Sequence, residues 1–402
     1  MRILPALSAA LALAAAYEGP RTFKAAELLT AAQLKGPNHT VLPDVKTENY
    51  FHVFDIKSDY GSLSAEGMSL LRVRLHEVGA LAELDKVSKS QVFLASAGGS
   101  VVNVGKGAMA AVKDPGATAQ GVGQGVKRFG SNLGRKAKRT TDQAVDSATG
   151  DDKGAAESGV GIANSIVGVN GAARKWAQKV GVDPYTTNPV LKKALTDIGQ
   201  VDKAGAIATK IVVPIPPIVS GTATVGKLVW SQDPEALLKG NEQKLRELGV
   251  PDATIKKLYL SKGLTLSLHT RLAASLHAVK VPGCADYVET ATEATSEREA
   301  LFFVESAEML ARFAKTVPVT AVLSDSRALV AKTKDARAVV LLPLDSVRWS
   351  QSYEQALTEI GRRAKAELQA SALEIRTTAT FSAAAKQETI ARGFKVADKL
   401  PE

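Results

Sequence analysis

Three residue patterns in the chain have the types needed for chemistry. "VVNVGKGAMAAV" (101–112) places Gly105, Gly107 and Ala110 in G-x-G-x-x-A order after an apolar run, the spacing that lets backbone approach a dinucleotide pyrophosphate. That use also requires an acid about twenty positions on, and residues 120–130 contain none. A glycine-rich lead-in to a helix is the preferred reading. The five histidines, His39, His52, His76, His269 and His277, never fall at i and i+4 with an acid between them. His269 and His277 share an expected helix but stand about 12 Å apart along its axis, too far for the pair alone to hold one metal ion. With Cys284 as the sole cysteine, neither a zinc-type cluster nor an internal disulfide is available. No metal and no cofactor is therefore expected. Neither a G-x-S-x-G elbow nor a phosphate loop occurs. Catalytic residues stay unassigned, because carboxylates that meet only on folding leave no spacing signal.

The third pattern is "GVGQGVKRFGSNLGRKAKR" (121–139), with six basic residues and no acid. At 100° per residue, Val122, Val126, Phe129, Leu133 and Ala137 fall within an arc of about 80°. Lys127, Arg128, Arg135, Lys138 and Arg139 cluster opposite, with Lys136 at the boundary. Such a helix suits a membrane interface, apolar residues down and cations among anionic headgroups. Its five glycines oppose the helix by about 4–5 kcal/mol, so a partner surface must induce it. Six cations near an anionic bilayer, at about 1 kcal/mol each, offset that penalty. The alternative is that Val126, Phe129 and Leu133 dock on the protein itself and the basic side is solvated. That explains the apolar stripe equally well and the one-sided charge less well, since ordinary solvated faces mix signs.

The elements that must position this segment follow from the whole chain. "MRILPALSAALALAAA" (1–16) has a charged start, an apolar run and an Ala-Ala-Ala exit, the layout of a cleaved export signal. Its run of fourteen residues, Ile3 to Ala16, apolar but for Ser8, falls short of the roughly 20 needed to span a bilayer. Export makes nucleic acid an improbable partner, and so does the 5% aromatic content, which starves any stacking surface. With a net charge of +10, anionic lipid or an anionic envelope polymer is the expected partner. No protein partner is specified.

After the signal (1–16), four units are expected. Residues 17–96 read as a small α+β unit, in which "FHVFDIKS" and "SLSAEG" make a hairpin across Asp59-Tyr60-Gly61. In the helix that follows, Leu71, Leu75, Val78, Leu81 and Leu84 share one face. Residues 97–171 are a glycine-rich basic helical segment. Residues 172–317 read as a helical domain, with Asn188-Pro189 and Asp233-Pro234 as helix starts and Ser296 to Glu299 as a capping box. Within it, "IVVPIPPIVSGTATVG" (211–226) is uncharged and broken by three prolines, which rule out a regular helix interior there. A buried apolar loop or hairpin is preferred over a re-entrant membrane segment, because lipid offers freed backbone groups no partners. Beyond Pro318 the period changes: "VTAVLS", "ALVAKT", "AVVLLPL" and "LEIRTTATF" read as strands, with helices at 352–369 and 384–394, giving a C-terminal α+β domain over 318–402. The expected fold class is α+β, mostly helical.

"GALAELDKVSKSQVF" (79–93), "GVGQGVKRFG" (121–130) and "ARKWAQKVGVDPYTTNPVL" (173–191) resemble segments of an uncharacterised family of exported bacterial proteins. The resemblance covers most of the chain. It implies export and supplies no activity, cofactor or site residue. The leading expectation is thus an exported, periplasmic or cell-envelope protein without catalysis, associated peripherally with an anionic surface through 118–139. The alternatives are an envelope hydrolase with a site between the helical and C-terminal domains, or a membrane-inserting protein using 204–230.

Overall fold

The computed structural model describes residues 16–90, 93, 133, 162–202 and 223–401. The N-terminal part runs β1 (Thr22–Lys24), α1 (Ala25–Leu28), α2 (Ala31–Leu34), β2 (Lys35–Gly36), β3 (His39–Val41), β4 (Asp44–Glu48), β5 (Phe51–Ser58) and β6 (Gly61–Glu66), followed by α3 (Met68–Ser88). β5 is the organiser. Its apolar residues alternate, so Phe54 and Ile56 are buried while Asp55 and Lys57 are exposed, as a half-buried strand requires. β6 pairs antiparallel along one edge, as expected for the hairpin, and β4 and β3 share the other edge end to end. β1 adds outside β4, and β2 outside β3.

The β4–β5 turn holds Asn49 and Tyr50 at φ 44° and 82°, with Glu48 paired to Phe51. Two positive φ values match the twist of a tight hairpin, but a tyrosine rarely adopts one. Tertiary contact holds it: the Tyr50 carbonyl accepts the backbone N–H groups of Asp345 (3.1 Å) and Ser346 (3.0 Å).

The middle of the chain is helical, with α4 (Ile162–Ile166), α5 (Gly171–Val180), α6 (Pro189–Val201), α7 (Ala223–Ser231), α8 (Pro234–Glu247), α9 (Asp252–Leu260), α10 (Leu266–Val279), α11 (Cys284–Ala291) and α12 (Glu297–Ala314). The starts at Asn188 and Asp233 are as expected, each side chain accepting backbone N–H groups of the first turn. Ser296 caps Glu299 N–H. The second half of that expected box is redirected, because the Glu299 carboxylate takes the Thr295 backbone N–H and hydroxyl instead. The proline-bearing residues of 211–226 lie outside the described residues; their exit is α7, with Val225 and Val229 buried. No helix among the described residues is long and apolar enough to cross a membrane.

The C-terminal sheet is built from β7 (Val319–Val322), β8 (Leu329–Thr333), β9 (Arg337–Leu342), β11 (Ala372–Thr377) and β13 (Phe394–Ala397), in the order β13-β11-β9-β8-β7. β7, β8 and β9 form an antiparallel meander; β9, β11 and β13 are parallel. The parallel crossovers are helices, α13 (Gln351–Glu367) and α14 (Ala383–Ala391), and a short parallel pair, β10 (Ser346–Val347) with β12 (Thr380–Phe381), forms a separate two-stranded sheet. Leu373 of β11 meets the α13 side at Gly361, whereas Arg376 lies over Phe313 of α12. Residues three apart on a strand face opposite ways, so α13 and α12 cover opposite faces.

The whole is α+β and mostly helical. One apolar cluster joins the N-terminal sheet, the helices around α10 and the C-terminal sheet, and a second joins the C-terminal half of α3 to α5 and α6 around Trp176. The helical and C-terminal parts meet tightly at Gly283, the residue before α11, which has φ +89°. A Cβ there would stand 1.9 Å from the Val322 carbonyl oxygen, and Val322 N–H donates to Pro282. Gly283→Ala is therefore expected to destabilise the protein by more than about 1 kcal/mol, read as a lower urea midpoint; an unchanged midpoint would show that this approach is not tight in solution.

Candidate functional site

Of the eleven residues expected to contact a membrane or an anion, the described residues include one, Leu133. Val122, Val126, Phe129, Ala137, Lys127, Arg128, Arg135, Lys136, Lys138 and Arg139 lie outside them, as do Gly105, Gly107 and Ala110. Leu133 is 1% exposed and belongs to the main apolar cluster. Its side chain is covered by the protein, which is what docking of this position on the body gives. Contact with lipid at Leu133 itself would require it to leave that core.

The described residues bring together a polar site that spacing did not reveal. It is centred on "GVDPYTTN" (181–188), the link between α5 and α6. Pro184 and Pro189 disfavour helix at Asp183 and Asn188, a turn closes between them with the Thr186 N–H donating to the Asp183 carbonyl (3.3 Å), and the polar side chains of the link point toward three helices. Glu77, on α3 and 2% exposed, accepts from Arg74 Nη1 (2.9 Å), from Asn188 Nδ2 (3.1 Å) and from the Thr186 hydroxyl. Arg74 Nη2 reaches Glu297 at the start of α12 (2.5 Å) and the Thr187 hydroxyl (2.6 Å). Of the expected helix face, Leu71, Val78, Leu81 and Leu84 are buried and Leu75 is partly buried against the core, and this second, ionic face of α3 is buried beside it.

On the other side of the link, Asp183 Oδ1 accepts the Ser267 hydroxyl (2.5 Å) and the Tyr185 N–H (2.8 Å). Burial pushes the Asp183 carboxyl up to about 6, against the pull of those two bonds and of Arg271. Arg271 is held by a bidentate pair with Glu308 (2.8 and 2.9 Å). Asp183, Ser267 and Arg271 form the polar wall of a small recess of about 10 Å³ whose apolar wall is Val225, Val229 and Trp230. A carboxyl, a hydroxyl and a guanidinium around one recess suit a water or a small polar group. They do not make a nucleophilic triad, which needs an imidazole between hydroxyl and acid. His76 is turned to the Gly181 carbonyl (3.0 Å).

The remaining histidines are dispersed. His52 meets Thr47 (2.9 Å), His39 the Gln33 carbonyl (3.1 Å), and His277 Glu247 (2.7 Å). His269 is fully buried beside Tyr259, with neither ring nitrogen hydrogen-bonded among the described residues. Burial lowers its pKa to about 4. No group of three metal-ligating side chains occurs among the described residues.

A third polar cluster ties the N-terminal sheet to the C-terminal part of the fold. Asp345, between β9 and β10, accepts the backbone N–H groups of His52 (2.8 Å) and of Met68 (3.2 Å to each oxygen). It therefore caps α3 from 277 residues away. Burial raises its pKa to about 6. Arg298 lies over the Phe51 ring at 4.4 Å and donates to Ser69 (2.9 Å) and Glu305 (2.6 Å). Glu66, at the end of β6, has a buried oxygen without a hydrogen-bond partner among the described residues, and burial raises its pKa to about 8. Between the helical and C-terminal parts, where an active site was the alternative expectation, Arg327 is paired with Glu293 (2.8 Å). Buried carboxylates assembled from such distances leave no local pattern. The signals available were the polar loop 181–188 and the prolines at 184 and 189.

No protein-family model, curated protein or solved structure matches the chain.

Proposed function

We propose that the protein is an exported, non-catalytic envelope protein that associates peripherally with an anionic surface through residues 118–139. Charge placement carries this reading. Residues 97–139 contain eight Lys or Arg and one acid, so 43 residues hold +7 of the chain's +10. In the described body, by contrast, Arg74, Arg271, Arg298, Arg327, Arg363 and Arg392 each sit in an ion pair with Glu. Cations matched inside the fold have no spare charge for a partner, whereas a run with one acid does. The buried Leu133 ties the segment to the body at one point. Contact with the surface then rests on the six cations and on Val122, Val126, Phe129 and Ala137.

The test is sedimentation of the full chain with vesicles of phosphatidylglycerol and, separately, of phosphatidylcholine. Binding is expected to the anionic vesicles alone and to fade as salt shortens the screening length below about 8 Å. Arg135→Glu reverses one charge and is expected to weaken binding about tenfold or more, from about 1 kcal/mol per charge. Phe129→Ala should weaken it in a salt-independent way. Equal binding to both vesicle types, or none to either, would overturn the proposal. Retention after an alkaline carbonate wash would favour insertion through 204–230 instead.

A further inference from the structure

The parallel strands β10 and β12 lie side by side, and α13 and α14 begin directly after them. Two helix N-termini therefore open at the carboxyl end of one parallel pair, the place where open α/β sheets hold ligands and where helix ends favour anions. A carboxylate already sits there, from the far end of the chain. Glu18 Oε2 accepts the Trp349 backbone N–H at 2.7 Å and the Ser382 hydroxyl at 2.5 Å. Its own N–H donates to the Trp349 carbonyl at 2.7 Å. Ser382 is at the same time the N-cap of α14.

The fit of Glu18 is incomplete. Its second oxygen, Oε1, stands 3.9 Å from Arg348 Nη2, beyond hydrogen-bond range. The Arg348 side chain is 24% exposed, but its Nη1 is buried and has no hydrogen-bond partner among the described residues, a state that buried donors rarely keep. Around them, Trp349 is 1% exposed, the Tyr17 ring lies 6.2 Å from it, and Arg392 stacks on it at 4.3 Å. Arg392 is matched by Glu354 and Glu388. Arg348 has Glu18 as its one ion-pair partner among the described residues. The stretch that carries Glu18 is exposed at residues 16, 17 and 19–21, and beside Glu18 the Tyr17 hydroxyl donates to Glu354.

We propose that this cleft is an oxyanion-binding site that Glu18 fills in cis, and that displacement of the Tyr17–Glu18 clip opens it to a carboxylate- or phosphate-bearing ligand. The donors come from three places in the chain, Arg348-Trp349, Ser382 and the helix starts, and they converge on one negative group. A ligand with three free oxygens reaches the Trp349 N–H, the Ser382 hydroxyl and the unused Arg348 donor together, which one carboxylate does not. When Glu18 leaves, Arg348 becomes an unmatched cation and the cleft turns net positive.

The test uses the full chain titrated calorimetrically with inorganic phosphate and, in a separate arm, with acetate. Glu18→Ala is expected to bind phosphate about tenfold or more tighter than the unaltered chain, through loss of one charge-assisted competitor. Adding Arg348→Ala should abolish the gain. Tyr17→Ala, which loosens the clip and keeps the carboxylate, should give a smaller gain and covers the case in which Glu18→Ala fails to fold. Tighter phosphate than acetate assigns a phosphate-bearing ligand, and the reverse assigns a carboxylate. A folded Glu18→Ala protein that binds both anions no better than the unaltered chain would overturn the proposal, as would a gain that survives Arg348→Ala.

Discussion

Glu77→Ala is expected to cost the fold about 3–5 kcal/mol, the range found when one partner of a buried ion pair is removed. The carboxylate collects three donors at once: Arg74 Nη1, Asn188 Nδ2 and the Thr186 hydroxyl. Alanine leaves all three facing a gap in a region where Glu77 is 2% and Thr186 5% exposed. Arg74 keeps Glu297, so its charge is only partly stranded. Glu77→Gln keeps shape and acceptor but not charge, and its loss should be smaller. Arg74→Met combined with Glu77→Leu should cost less than Glu77→Ala alone, because replacing both charges with apolar groups leaves no orphan. Urea unfolding with an unchanged slope reads these differences as shifts in midpoint. A Glu77→Ala loss under about 1 kcal/mol would show that the network is solvated rather than buried.

This network also shows where sequence reasoning stops. Arg74 and Glu77 are three apart on a helix, and such a pair ordinarily reads as a surface salt bridge. What buries it is Thr186, Thr187, Asn188 and Glu297, which stand more than 100 positions away. Local rules succeeded where the cause is local. Asn188-Pro189 and Asp233-Pro234 begin helices because side-chain oxygen and fixed proline φ act within one turn. "FHVFDIKS" pairs with its neighbour across Asp59-Tyr60 because alternation over eight residues survives any context. The switch at Pro318 was legible for the same reason, since buried parallel strands carry apolar runs such as that of β9.

The N-terminal strands β1 to β4 were not legible. They are short and mixed in polarity, and the turn that folds β4 onto β5 uses Asn49-Tyr50, where glycine would be the usual signal. Its support comes from Asp345 and Ser346. β13 was also missed, because "FKVA" is a four-residue edge strand whose pairing is decided by β11. Of the candidate site, the charge excess of 97–139 was readable from composition alone. The burial of Leu133 was left open by periodicity, because an apolar stripe looks the same whether it faces lipid or protein.

The second large effect is a pH-dependent one at Glu66. This carboxyl is 5% exposed, and burial, reinforced by Glu48 and Glu299 and opposed by Arg298, lifts its pKa from 4.5 to about 8. In the unfolded chain it ionises near 4.5, so between that value and about 8 the folded state binds more protons than the unfolded state. Stability from this group is therefore fully present below pH 4.5 and is lost as pH rises through about 8. At about 1.4 kcal/mol per unit, the loss approaches 4–5 kcal/mol. Glu66→Gln removes the titration and keeps the shape. Its stability should match that of the unaltered protein near pH 4 and exceed it progressively at higher pH, by about 4 kcal/mol near pH 9. Asp345 and Asp183, each raised to about 6, titrate in both proteins and drop out of the difference. Urea midpoints measured in steps from pH 4 to 9 give that difference directly. A difference that stays flat across the range would mean that Glu66 ionises freely in the fold, and that the acids at the junction of β6 and α3 are reached by water.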